Sequence, residues 1–294
     1  MKYISLEEEY AKNTGVTPED IAKLRQWLKT QPHLPEKHIT DLDLILAFHC
    51  CNYSSGLAKE VLDLNLTLRT LFDGFYNDRS VDKAAQVSMN VLLTPLHLPE
   101  NIKGDKLFYG RLLNTDPKNF HYRESMKLLL MVVEAIQYEE GTWPGMQLIV
   151  DFEGVTLAHF AKIDVFDLQR FLYYLQEAIL LRLKGMQFIN APTFIDKLLM
   201  LMKPFMKKEL MEILHVHTPD SKAINNIVPV GVLPTADNLE EYRDNVLKRL
   251  QDYRQYFEEE KHKRVTESRR PGKPKTISDI FGGVEGSFKK LDID

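Results

Sequence analysis

The chain has 294 residues, 44% of them hydrophobic, with 38 Lys and Arg against 42 Asp and Glu, giving a formal net charge of -4 and a pI near 6.2. That is enough apolar side chain for a large core, in one domain with appendages or in two, and the acidic balance argues against a nucleic-acid binder. No run approaches the roughly 18 apolar residues of a membrane span, and the first residues lack the apolar stretch of a signal peptide, so the expected location is the cytoplasm. The only cysteines, Cys50 and Cys51, are adjacent. Neighbouring side chains diverge, so both are expected as free thiols in a reducing compartment.

Residues 1–80 read as a small helical bundle. Thr17 followed by Pro18 opens one helix, with Ile21, Leu24, Trp27 and Leu28 on its apolar face. A second follows Asp41, with Leu44, Ala47, Phe48 and Cys51 inward, and a third runs from about Gly56 to Phe72. Residues 77–79 and the stretch around Pro95 and Pro99 read as connectors. From about residue 104 the text alternates between strand and helix: a strand over Lys106–Leu113, a helix over Tyr122–Glu140, and a short apolar run, Gly145–Asp151, with the character of a buried parallel strand. A long helix then carries Leu168, Phe171, Leu172, Leu175 and Ile179 on one face, before a strand over Gly185–Ile189. Ile195, Leu198, Leu199, Met202 and Met206 follow at three- and four-residue steps, an apolar stripe that closes either the protein's own core or a cavity. A charged helix comes next, and Ile227–Leu233 is expected as a last strand, at an edge because of Pro229. Near-heptad spacing from Leu239 to Phe257 marks a terminal helix. The basic stretch from Lys261 to Lys275 is expected to be extended or mobile, a solvated linker, and the final apolar residues, Phe288 and Leu291, to dock on the body.

Motifs for covalent or nucleotide chemistry are missing. The 14 glycines form no phosphate-cradling loop, there is no Gly-x-Ser-x-Gly elbow, and neither cysteine sits in a protease-like motif. Asp151 and Glu153 share a strand end and could do acid/base work; the favoured reading is that they cap the following turn. His215 and His217 share a side of an extended segment, but two imidazoles without a third ligand do not make a metal site. No enzyme activity, cofactor or metal is expected.

Three segments taken together carry a family likeness: Asp151, Phe152, Glu153 and Gly154 after the central strand; Gly185 to Pro192, with Ile189 and Asn190 in a Gly-x-x-x-Ile-Asn-x-Pro pattern; and Lys203, Pro204 and Phe205. With the ending from Arg270 to Lys275 and from Gly282 to Phe288, they cover most of the chain, which resembles the CRAL-TRIO lipid-transfer family and within it the insect α-tocopherol transfer protein-like group. The resemblance implies an α/β fold: an N-terminal helical bundle (1–80), a lipid-binding domain with a helical lid (90–238), and a C-terminal helix with an extended tail (239–294). It implies that one hydrophobic molecule (a tocopherol, retinoid, carotenoid or other isoprenoid) is held in a closed cavity and carried between membranes. A phospholipid-binding signalling or interaction module is the alternative. The cavity positions it implies are Val150, Val155, Leu157, Ile163, Phe171, Tyr174, Leu175, Ile179, Leu181, Leu183 and Met186, with Phe194, Leu198, Leu199 and Met202 from the lid. Transient contact with anionic phospholipid is assigned to Arg182, Lys184, Lys203, Lys207 and Lys208. Glu209 and Ile213 stand where relatives carry basic residues, and His49 where they carry arginine. The protein is expected to act as a monomer without nucleic-acid partners. Candidates for a polar group orienting the ligand are Tyr174, Tyr173, Thr156, His159 or a trapped water.

Overall fold

The structure, a computed structural model, describes residues 3–99 and 104–282. The expected docking of Phe288 and Leu291 falls outside the described residues. Six helices open the chain: α1 (Leu6–Ala11), α2 (Pro18–Lys29), α3 (Asp41–Cys50), α4 (Ser55–Leu71), α5 (Asp73–Tyr76) and α6 (Val81–Ser88). Capping boxes start three of them, pairing Ser5 with Glu8, Thr17 with Asp20 and Thr40 with Asp43, so that otherwise unpaired backbone N–H groups are satisfied. In α3 every residue from Leu42 to His49 is buried, which makes it the central helix of the bundle.

The sheet has five strands in sequential order: β1 (Val91–Pro95), β2 (Lys106–Leu112), β3 (Met146–Asp151), β4 (Leu183–Ile189) and β5 (Leu214–Val216). β1 runs antiparallel to β2, and the other pairs are parallel. Two sequence-based expectations are corrected here. The stretch around Pro95 is not a connector: Pro95 ends β1 opposite Phe108, and an edge strand tolerates a residue without an N–H. Residues 227–233 are not the last strand: β5 takes that place beside β4, while Val228 is buried and Gly231 turns with φ +84°. The apolar run is satisfied by burial alone, whereas the shorter β5 is selected by register with Met186 and Phe188.

Strand alternation divides the apolar residues between two faces. Leu92, Leu107, Tyr109, Ile149 and Ile189 form a small cluster with Ile224 and Val228. Leu93, Phe108, Leu148, Met186 and Phe188 join the main core, which continues without a break into the N-terminal helices. The remaining helices are α7 (Tyr122–Glu140), α8 (Leu157–Phe160), α9 (Val165–Glu177), α10 (Ile195–Met202), α11 (Lys208–Glu212), α12 (Leu239–Asp252), α13 (Arg254–Glu260) and α14 (Ile277–Phe281). α9 ends before Ile179, and the terminal helix is broken at Tyr253 into α12 and α13.

The basic C-terminal stretch is a third correction. Lys263 is buried against Asp43 at 2.8 Å, and Arg264 bonds Glu260 at 2.8 Å. Arg270 reaches Asp63 at 2.8 Å and Glu267 at 2.7 Å. Glu260 in turn meets Arg69 at 2.6 Å and Arg79 at 3.4 Å, and both arginines also pair with Glu134 on α7. The charges that suggested a solvated linker are complementary to acids inside the helical region, so the segment is strapped across it.

Candidate functional site

Between the sheet and α10 lies a cavity of about 170 Å³, below the roughly 300–1,000 Å³ usual for drug-sized ligands, so a larger guest requires the lid to move outward. Its floor is Leu93, Gly110, Leu148, Val150, Met186 and Phe188 of the sheet. A Cβ at Gly110 would come within 2.7 Å of the Leu93 side chain, whose tip would have to shift. α7 contributes Tyr122, Ser125, Met126 and Leu129, α9 contributes Leu168, Phe171 and Leu172, and the segment 152–163 closes one side with Phe152, Val155, His159, Phe160 and Ile163. Leu198 and Met202 of α10 form the roof, one helical turn apart on the buried side of that helix.

Of the residues singled out from the sequence, Val150, Val155, Ile163, Phe171, Met186, Leu198 and Met202 meet around this space. The others lie elsewhere. Leu157 is 52% exposed on α8. Tyr174 and Leu175 are buried on the flank of α9 that faces the helical region, where the Tyr174 hydroxyl accepts from the Asn65 amide at 3.0 Å and its ring meets Tyr76. Ile179, Leu181, Leu183 and Leu199 pack at the rim of the main core, and Phe194 stands behind Phe160 with ring centres 5.6 Å apart. The contributions of α7 and of Val91, Leu93 and Leu112 were not read from the sequence. α7 is apolar around most of its circumference, so periodicity marks no single face, and β1 was not recognised as a strand.

The polar groups of the wall are mostly committed to one another. Asp151 Oδ1 accepts from the Glu153 N–H at 2.9 Å and from Asn190 Nδ2 at 2.8 Å, while Oδ2 accepts from the Tyr109 hydroxyl at 2.5 Å. Burial and that carboxylate push the Tyr109 phenol well above its ordinary pKa. Arg111 is paired with Glu153 at 3.1 Å. Asp151 therefore acts as a joint: it caps the turn after β3 and holds Asn190, at φ +50°, where the chain leaves β4 for the lid, while the Glu153 carboxylate does not cap the turn. His217 is also engaged, through Gln187 at 2.8 Å. His159 differs. Its Nδ1 accepts the Thr156 N–H at 3.0 Å, and its Nε2 is buried with no partner among the described residues.

The far end of the lid is pinned by α9. Gln176 donates to the Phe205 carbonyl at 2.9 Å and accepts the Lys207 N–H at 2.7 Å, while Lys207 Nζ reaches Glu177 at 2.5 Å. Lys203 and Lys208 are exposed, and Lys208 stands 3.6 Å from Glu212. Arg182 and Lys184 are placed differently: Arg182 donates to the His49 carbonyl at 2.5 Å and lies over Tyr53, and Lys184 is 3.4 Å from Asp105.

The site is thus a five-stranded mixed sheet with an apolar space beneath a short helix, joined to a helical bundle. Residues 96–236 match the family model for the CRAL/TRIO domain, and residues 14–86 match that for the UBA domain of Pinta-like proteins. Residues 96–236 thus form a CRAL/TRIO domain, preceded by a UBA-like helical region. It is similar to the human protein named alpha-tocopherol transfer protein-like, with 24% identity over 119 residues covering 40% of this chain and 35% of that one. Rat clavesin-1 is 21% identical over 229 residues, 77% of this chain and 65% of the relative. The aligned part is thus about a third of the first and under two thirds of the second. Among solved structures, the crystal structure of Sfh5 matches with a TM-score of 0.41 and 13% identity, covering 84% of this chain and 100% of that one.

Proposed function

We propose that the protein binds one hydrophobic small molecule of the isoprenoid kind beneath α10 and transfers it between membranes. The carrying observation is the apolar cavity itself, roofed by Leu198 and Met202 on a segment joined to the sheet at Asn190 and held at its far end by Gln176. Burying a chain of about twenty carbons is worth roughly 16 kcal/mol at about 0.8 kcal/mol per methylene, an upper bound before association costs, so tight binding needs no covalent chemistry. Release then depends on moving the lid. Its outer side carries Met200, 66% exposed, and Met211, 44% exposed, near Lys203, Lys207 and Lys208, a combination suited to an anionic membrane surface. No helix among the described residues is long and apolar enough to cross a membrane, which fits transient contact by a surface.

Native mass spectrometry of the purified chain, followed by lipid extraction, tests this reading. A single neutral isoprenoid at one-to-one stoichiometry is the expected result. A bound phospholipid would favour a signalling or interaction module, and failure to take up any apolar probe would remove the carrier reading.

A further inference from the structure

The cavity wall contains a buried donor that the protein leaves unused, and its chemistry narrows the ligand class. His159 lies on α8, is only 1% exposed and lines the cavity. Its Nδ1 faces the Thr156 N–H, a donor, so Nδ1 must be the acceptor and the ring proton sits on Nε2. Burial lowers the His159 pKa, and the ring is neutral at physiological pH. Nε2, at the opposite end of the ring, is then a buried N–H with no acceptor, a costly arrangement that a bound molecule would relieve.

Most other polar groups of the wall are committed, and the Tyr122 hydroxyl, held neutral by burial, favours the same class of partner. Ser125 Oγ donates to the His121 carbonyl at 3.0 Å, Asp151 is filled by Tyr109, Asn190 and Glu153, and Arg111 is paired with Glu153. A lipid ending in a carboxylate would meet no uncommitted cation. We infer that His159 is the polar anchor of the cavity, donating from Nε2 to a neutral oxygen (hydroxyl, carbonyl or ether) carried by an otherwise apolar ligand. This inference rests on the carrier reading and deepens it: the selected class is oxygenated and uncharged, and hydrocarbons and lipid acids are selected against.

The test uses the delipidated full chain and three probes with one skeleton: all-trans-retinol, all-trans-retinoic acid, and axerophtene, in which the retinol hydroxyl is replaced by hydrogen. Fluorescence titration is expected to show retinol binding about tenfold more tightly than axerophtene, the size of one satisfied buried donor, with retinoic acid weaker than retinol. In H159F the preference for retinol over axerophtene disappears, and in H159Q, whose amide can donate from near the Nε2 position, part of it returns. Imidazole nitrogen NMR of the wild-type chain gives a readout that needs no variant: the His159 Nε2 resonance shifts with retinol and not with axerophtene. Equal binding of retinol and axerophtene by the wild type, a preference that survives in H159F, or an Nε2 resonance indifferent to retinol overturns the anchor and leaves the carrier reading standing. Tighter binding of retinoic acid overturns the neutral class. Binding of no probe overturns the anchor and the carrier reading together.

Discussion

Asp151 shows how much one side chain can organise at the end of a strand. It is buried, yet both oxygens are occupied, and its partners come from β2, from the turn after β3 and from the start of the lid. Removing the carboxylate strands the Tyr109 hydroxyl and the Asn190 amide at once, so Asp151→Ala is expected to cost about 3 kcal/mol, read as a lower urea midpoint. Loss of stability without loss of any chemical turnover fits the joint described above. The capping of the next turn was legible in the sequence, because an acid at the end of an apolar run has few other local partners. The bond to Asn190 was not legible, since it joins residues 39 positions apart and depends on the β3–β4 pairing. Tyr174 makes the opposite point. It is three residues from Phe171 and on a helix that borders the cavity, yet the helix presents the two residues to different neighbours: Phe171 to the cavity and Tyr174 to Asn65.

At the scale of elements, the lid is a segment held at two ends. Gln176 bridges α9 to the Phe205 carbonyl and the Lys207 N–H, so Gln176→Leu is expected to raise hydrogen exchange over residues 203–212 by roughly tenfold while the middle of α9 stays protected. Uniform acceleration across the whole chain would show instead that Gln176 supports global stability. Lys207 does two things in this arrangement, because it pairs with Glu177 when the lid is down. Reversing its charge therefore mixes lid opening with membrane contact. Lys208, 82% exposed by side chain, separates them: Lys208→Glu is expected to slow transfer to anionic vesicles about fivefold and to leave transfer to neutral vesicles unchanged. Equal rates on both vesicle types would remove Lys208 from the membrane contact. The lid was visible in the sequence as a stripe of Ile195, Leu198 and Met202, all of which are buried. What the stripe covers was open until β3 and β4 were placed beneath it.

Across the whole molecule, the C-terminal strap ties helices far apart in sequence. Burial by itself would raise the Glu260 pKa, but Arg79, Arg69 and Arg264 outweigh it and hold the carboxyl down at about 2. Asp43, beside Lys263 and Tyr138, and Asp63, beside His33 and Arg270, are held below the ordinary carboxylate range as well. A depressed folded pKa means stability that is present above the unfolded value, near 4.5 for Glu260, and lost as the pH falls towards 2. Urea unfolding is accordingly expected to show stability declining from about pH 5 downward. In Glu260→Gln the acid dependence should be shallower, with about 3 kcal/mol already lost at neutral pH, because Arg69 and Arg79 are left sharing one buried carboxylate, Glu134. An unchanged acid slope would show that Glu260 does not titrate in this range.

The sequence by itself determined the local elements: a capped helix at Thr17, a helix after Asp41, the long helix from Tyr122 to Glu140, the parallel strands around Ile149 and Phe188, and an apolar helix after Asn190. These follow from periodicity and from caps, which act over a few residues. Only the tertiary structure decided that Pro95 ends an edge strand, that Leu214–Val216 displaces residues 227–233 from the sheet, and that Lys263, Arg264 and Arg270 are tied down. It also decided which face of each helix looks into the cavity and that Nε2 of His159 is left over. Pairing register, charge partners and shared space belong to residues distant in the chain, and no window along the sequence contains both halves of such a contact.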